Sequence, residues 1–310
     1  QANSTVLTNI AASLQTSGNT PFVVLAVVFI IVGFAFKVSA VPFHTWAPDT
    51  YEGAPTPITA FLSVASKGAG FVALLTLVFV GFINQKEVWQ PLFFALAVLT
   101  MTVGNLIALR QTNVIRILAY SSVAQAGFML VPLAVAGDIP ASNGGVATAV
   151  EATVTYMLIY TAMNLGAFAT VMAIFRKTRS ADLTSFGGLF EYAPGLTLLL
   201  TIFVFSLAGI PPLGGWYAKF VVIKTLFDAF TPAAVVLGVV VAVNSVIALY
   251  YYASIAREMW MRPVPDGDRT RIVVPASLAA AVALCTIGTL VIGVLPNVVA
   301  HFGDLASFVG

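Results

Sequence analysis

LTLLLTIFVFSLAGIPPLGGWYAKFVVIKTLFDAF, residues 196–230, is long and apolar enough to cross a bilayer, yet it carries GIPPLGG at 209–215 in its middle. A hydrocarbon core of ~30 Å takes about 20 apolar residues in one helix. Proline removes an amide donor and clashes with the preceding turn, and glycine loosens the backbone. Backbone groups freed inside lipid persist only where protein or a water-filled cavity satisfies them. The stretch therefore predicts a membrane helix broken at Gly209, Pro211, Pro212 and Gly214, with Lys219 seven residues beyond Pro212. PFVVLAVVFIIVGFAFKVSAVPFHTWAP, residues 21–48, has the same form: Pro42 and Pro48 close it, and Lys37 lies five residues before Pro42.

The rest of the chain sets these two breaks in a membrane. With 59% hydrophobic and 8% charged residues and a mean hydropathy of +0.98, an all-α integral membrane protein is expected, with no room for a soluble domain. Eight apolar runs stand out, at roughly 21–41, 56–82, 91–109, 114–136, 152–175, 196–229, 232–256 and 272–295. The opening residues 1–20 are uncharged and read as a polar linker, with further helices expected upstream. The single cysteine, Cys285, has no disulfide partner in the chain. No metal or iron–sulfur ligand set, glycine-rich phosphate loop, dinucleotide fingerprint or haem-type histidine pair is found, so no cofactor-binding or metal residue is expected. No basic face interleaved with aromatics suggests nucleic acid. Lipid is the expected surrounding. Any driving energy must come from outside the chain or from an ion gradient.

Charge asymmetry gives an expected orientation. Arg110, Arg116, Arg176, Lys177, Arg179, Arg257, Arg262, Arg269 and Arg271 fall in the linkers after the third, fifth and seventh runs, against Lys86 alone on the other side. Those linkers are expected to face the cytoplasm, with both ends of the chain opposite. The two broken runs are five helices apart, so they cross in opposite directions. Broken helices at matching places of inverted halves mark a transport site near the midplane. Residues 1–90 are then the end of a first inverted repeat, 91–260 the second repeat, and 261–310 a terminal span.

Lys67, in SVASKGAGF at 63–71, has no acid within ten residues. It is roughly ten residues from its helix end, about 15 Å at the helical rise, too far for its ammonium to reach the interface. A charge there is costly unless it faces a cavity or a partner, and a desolvated ammonium holds its proton less tightly. Lys67 and Lys219 are therefore candidate proton carriers. Lys37 is a third, although a lysine so near a helix end also reaches the interface by snorkelling. His44 reads equally as a relay member and as a hydrogen-bonded loop residue. His301 reads as interfacial and Glu151 as a solvated boundary acid. Lys224 and Asp228 form an i,i+4 pair, Asp49 and Glu52 shape their loop, and Trp89, Tyr192 and Trp260 are expected interfacial anchors.

FKVSAVPFHTWAPDTYEGAPTPITAFLSVASKGAGF (36–71), VGNLIALRQTNVIRILAYSSVAQAGFML (103–130), YMLIYTAMNLGAF (156–168) and SLAGIPPLGGWYAKF (206–220) resemble, in order, the N-type antiporter-like membrane subunits of bacterial NADH–quinone oxidoreductase, respiratory complex I. The resemblance covers nearly the whole chain, more weakly beyond about residue 230. It implies an antiporter-like bundle with inverted repeats and two broken helices, and it places Lys37, Lys67 and Lys219 in a proton relay with Lys67 as the bridge. It implies a proton-pumping, non-redox subunit of a quinone-reducing translocase in a bacterial cell membrane, beside related antiporter-like subunits. FMN, iron–sulfur clusters and quinone belong to the other subunits. In the family the first of these lysines pairs with a glutamate on an earlier helix, which is not among these residues. The rival readings are a subunit of a multi-subunit sodium/proton antiporter and a structural membrane scaffold.

Overall fold

The structure, a computed structural model, describes residues 3–304 and has no β-strand among them, only the isolated bridge between Asn113 and Asp182. Its longer helices are α1 (Leu7–Ser17), α2 (Pro21–Lys37), α3 (Trp46–Gly53), α4 (Thr56–Gly81), α5 (Lys86–Ala108), α6 (Val114–Val135), α7 (Gly145–Thr178), α8 (Pro194–Ala208), α9 (Gly214–Ala229), α10 (Pro232–Met261), α11 (Ala276–Val294) and α12 (Asn297–Asp304). Six of them, α4, α5, α6, α7, α10 and α11, are long and apolar enough to span a membrane. The two interrupted runs supply the shorter α2, and α8 followed by α9.

Burial ranks the helices by position. The apolar window of α6 is 89% buried, against 28% for those of α10 and α11. A helix apolar on every side belongs inside, so α6 is the axis and α10 and α11 form the rim. Small residues let α5 close on α6: a Cβ built on Gly104 would lie 2.9 Å from the Ala124 amide nitrogen. Close backbone approach through small residues is how membrane helices gain packing where the hydrophobic effect gives little.

The basic linkers gather at one end. The Leu183 amide donates to the Thr112 carbonyl, and the Gly188 amide to that of Glu258. Lys177 Nζ lies 3.5 Å from the Asp268 carboxylate, and Arg116 holds Asp49 at 2.9 Å and Glu52 at 2.6 Å. Asp49 and Glu52 thus lie within α3 itself, not in the loop expected for them, and tie that helix to α6. Lys86, Asp138 and Gly137 lie together at the other end.

Several expectations change. Residues 7–17 form a helix, because Leu7, Ile10 and Leu14 repeat at helical spacing, a signal masked by the polar residues between them. Leu14 is buried, and the side chains of Asn84 and Gln85 donate to the Ala11 and Leu14 carbonyls. Pro48 does not close a helix: it sits in the first turn of α3, where a missing amide hydrogen costs little. α7 starts at Gly145, so Glu151 lies in its second turn. Trp89 is an interior residue, not an anchor. It is buried between Phe79 and Phe93 and donates to the Phe82 carbonyl at 2.9 Å. Tyr192 is also buried, with Lys177 Nζ 3.8 Å above its ring. Trp260 keeps a partly exposed position, stacked on Phe190. Lys224 and Asp228 pair at 2.8 Å. The His301 side chain lies outside the described residues.

Candidate functional site: a polar stripe between two buried lysines

Lys67 is in the middle of α4, 2% exposed, directly after a π-helical stretch at Leu62–Ser66. π insertions inside α-helices concentrate at functional sites. Its ammonium donates to the Ser122 carbonyl at 2.5 Å and to Ser122 Oγ at 2.6 Å. Tyr160 Oη donates to the same Oγ at 2.8 Å. Asn164, one turn further along α7, donates to Ser63 Oγ at 2.8 Å and so ties α7 to the π stretch.

Lys219, on α9, is 7% exposed and reaches back across the break. It donates to the Ala208 carbonyl at 2.6 Å and to Ser245 Oγ at 3.1 Å, and its Nζ lies 4.8 Å from the centre of the Phe128 ring. The break explains this geometry. The last four carbonyls of a helix have no intrahelical partner, and buried ones must find another. In α8, Phe205 accepts from the Gly209 and Ile210 amides, and Ser206 from Gly209. Leu207 accepts from Gln125 Nε2 at 2.9 Å, and Ala208 from Lys219. The broken helix end thus presents two carbonyls to side chains, one of them the lysine.

Between the lysines runs one face of α6. Ser121, Gln125 and Phe128 are spaced i, i+4, i+7, so they stack along it. Ser121 Oγ is hydrogen-bonded to Tyr252 Oη. Gln125 Nε2 also donates to Tyr252 Oη at 3.4 Å, while its Oε1 accepts from Tyr156 Oη at 2.5 Å. Tyr156 and Tyr160, four apart on α7, meet Gln125 and Ser122 in antiparallel register. Ser245 and Tyr252, two turns apart on α10, meet Lys219 and the α6 stripe. Hydroxyls both donate and accept and can hand on a proton, whereas the Gln125 amide orients its neighbours. Among the described residues no ion pair includes Lys37, Lys67 or Lys219. The two buried ammonium positions are held by neutral dipoles alone, an arrangement that is costly for a fixed charge and suits a group that exchanges its proton.

Lys37 is placed differently. It is the last residue of α2 and exposed among the described residues, its stem crossing Gly70 and its ammonium donating to Ser66 Oγ at 2.9 Å. It therefore contacts α4 one residue before Lys67. His44 is buried in the turn after α2, which also holds Pro42, its ring edge-on to Tyr120 and its Nδ1 without a hydrogen-bond partner. No hydrogen bond joins His44 to a lysine of the stripe. Gly214 opens α9.

Gly209 closes α8 at φ +94°, and a Cβ there would lie 2.8 Å from Lys219 Cδ. Gly209→Ala is expected to push Lys219 off the Ala208 carbonyl and to destabilise the chain by roughly 1–3 kcal/mol through the left-handed backbone alone. Thermal unfolding of the detergent-solubilised protein checks this; an unchanged midpoint contradicts it.

The groups missing from the sequence reading are Ser121, Ser122, Gln125, Tyr156, Tyr160, Ser245 and Tyr252. A signal for some of them was present: YSSVAQ at 120–125 puts a hydroxyl and an amide four apart inside an otherwise apolar helix.

The sequence matches, over residues 1–245, the family described as NADH:quinone oxidoreductase/Mrp antiporter, transmembrane. It is 40% identical over 311 residues to NADH-quinone oxidoreductase subunit N 1 of Herpetosiphon aurantiacus, an alignment covering 99% of this chain and 60% of that protein. A chain in the structure of respiratory complex I from Thermus thermophilus with bound aureothin superposes with a TM-score of 0.75 at 30% identity, over 92% of this chain and 60% of that one. The Mrp complex from Dietzia sp. DQ12-45-1b gives a TM-score of 0.84 over 98% of this chain and 62% of its counterpart, at 21% identity, a likeness of fold alone. The chain spans about 60% of the length of the curated relative it matches.

Proposed function

The chain belongs to the NADH:quinone oxidoreductase/Mrp antiporter membrane family, and on that premise we propose that it is a proton-translocating, non-redox membrane subunit of an NADH–quinone oxidoreductase. The observation that carries the proposal is the α6 stripe, with Lys67 at Ser122 on one side and Lys219 at the broken end of α8 on the other. Electron transfer in partner subunits changes the hydration of this stripe and hence the proton affinity of the lysines. Protons enter the relay at Lys37, pass through Lys67 and leave beyond Lys219. Each proton moved against the membrane potential requires ~2.3 kcal/mol per 100 mV, which the redox reaction supplies. FMN, iron–sulfur clusters and quinone sit in those partners, among which are related antiporter-like subunits. The two broken helices belong to inverted repeats divided near residues 90 and 260. The end of the bundle that gathers Arg116, Lys177 and Arg262 faces the cytoplasm of a bacterial cell, by the excess of basic residues there.

The 40% identity to a subunit N, set against 21% for the Mrp likeness, favours this over a gradient-driven antiporter. The assembly, purified through a tag on the full-length chain and sealed into vesicles, is expected to acidify one compartment on addition of NADH and a short-chain quinone. Acidification driven by a sodium gradient, with no response to NADH, assigns the chain to an antiporter instead.

A further inference from the structure

A groove of about 670 Å³ runs along the rim of the bundle between α8 and α10, with Phe205, Tyr250 and Ala253 in its wall. One end is polar: Arg257 lines it beside Trp260, whose indole Nε1 donates to Thr201 Oγ1 at 2.8 Å. From Tyr250 to Trp260 the helix rises by about 15 Å, half of a hydrocarbon core of ~30 Å. The groove therefore reaches from the interface to the bilayer centre, the depth of one leaflet.

Some of the basic residues at this end are paired. Arg262 pairs with Glu258, Arg269 with Glu191 and Lys177 with Asp268. Arg257 is exposed, aligned with the groove, and has neither ion pair nor side-chain hydrogen bond among the described residues. A guanidinium offers five donors in a fork that matches phosphate oxygens. A tryptophan beside it, apolar in body with its N–H tied to Thr201, belongs at headgroup depth.

We propose that this groove is a binding site for a phospholipid with an anionic headgroup, its phosphate held by Arg257 and one acyl chain lying along Phe205, Ala253 and Tyr250. The charge of Arg257 selects the headgroup, and the leaflet-deep apolar wall takes the chain. An occupied groove fills the gap between α8, whose end supplies the carbonyl for Lys219, and the rim helix α10, which supplies Ser245. The site stands whether or not the chain carries protons.

The test uses the assembly containing the full-length chain, in nanodiscs doped with phosphatidylglycerol or phosphatidylcholine bearing a photoactivatable acyl chain, with cross-links mapped to the peptides around residues 205 and 253. Phosphatidylglycerol is expected to label these peptides more than phosphatidylcholine. Arg257→Gln is expected to lower the phosphatidylglycerol yield about fivefold and the phosphatidylcholine yield by less, because the choline ammonium already offsets the phosphate charge that both lipids carry. Ala253→Trp, which fills the groove, is expected to abolish both. Equal labelling by the two lipids in the unmodified chain overturns the proposal. So does a phosphatidylglycerol yield indifferent to Arg257→Gln, or shielding of the groove from both lipids by another polypeptide of the assembly.

Discussion

Lys67→Met, introduced into the full-length chain within its assembly, is expected to leave the protein folded and quinone reduction running while the protons moved per NADH fall by about the share this subunit carries. Methionine keeps the length and most of the apolar volume of lysine and removes the exchangeable proton. The structural loss is small, because Tyr160 continues to donate to Ser122 Oγ. Lys67 is also buried without a carboxylate partner, and replacing an uncompensated buried charge by an apolar group of similar shape is neutral or stabilising. The thermal midpoint is therefore expected to hold or rise as pumping falls. Proton uptake by reconstituted vesicles, normalised to NADH oxidised, decides the matter. A normal ratio in this variant makes Lys67 a packing residue and favours the scaffold reading.

Gln125→Leu is expected to lower stability and pumping together. The amide side chain serves the Leu207 carbonyl, Tyr252 Oη and Tyr156 Oη at once. Leucine leaves the Leu207 carbonyl, at the broken end of α8, with no hydrogen-bond partner. It also strips a partner from Tyr156, which is about 1% exposed. Each buried polar group left unsatisfied costs ~1–3 kcal/mol, so a loss of roughly 2–5 kcal/mol is expected, enough to lower the thermal midpoint by several degrees. The end of α8 then loosens where Lys219 is anchored, and the proton yield drops with it. Lys67→Met and Gln125→Leu are thus separable: one removes a proposed carrier from an intact scaffold, the other loosens the scaffold around Lys219. Wild-type stability in Gln125→Leu contradicts the role given to the amide.

The membrane spans, the two breaks and the lysines were legible in the chain because each depends on a single-residue cost. A lysine among apolar residues, or proline in mid-helix, is expensive wherever the segment packs, so its presence signals an exception. Trp89 and α1 show the limit of that reasoning. A tryptophan near a helix end reads as an anchor from its own chemistry, yet Phe79 and Phe93, brought together by α4 and α5, make it interior. The helix-end setting of Lys37 was legible, but its contact with Ser66 of α4 was not.

An all-helical membrane bundle, the break at Gly209–Pro212 and the burial of Lys67 and Lys219 follow from residue types and their order along the chain. What those lysines touch depends on how the helices pack. Ser122, Gln125, Tyr160, Ser245 and Tyr252 are uncharged and common in helices, so none carries a signal alone. They come together because α4, α7, α8 and α10 meet around α6, and because the carbonyls freed at the break need donors that only this packing brings within reach.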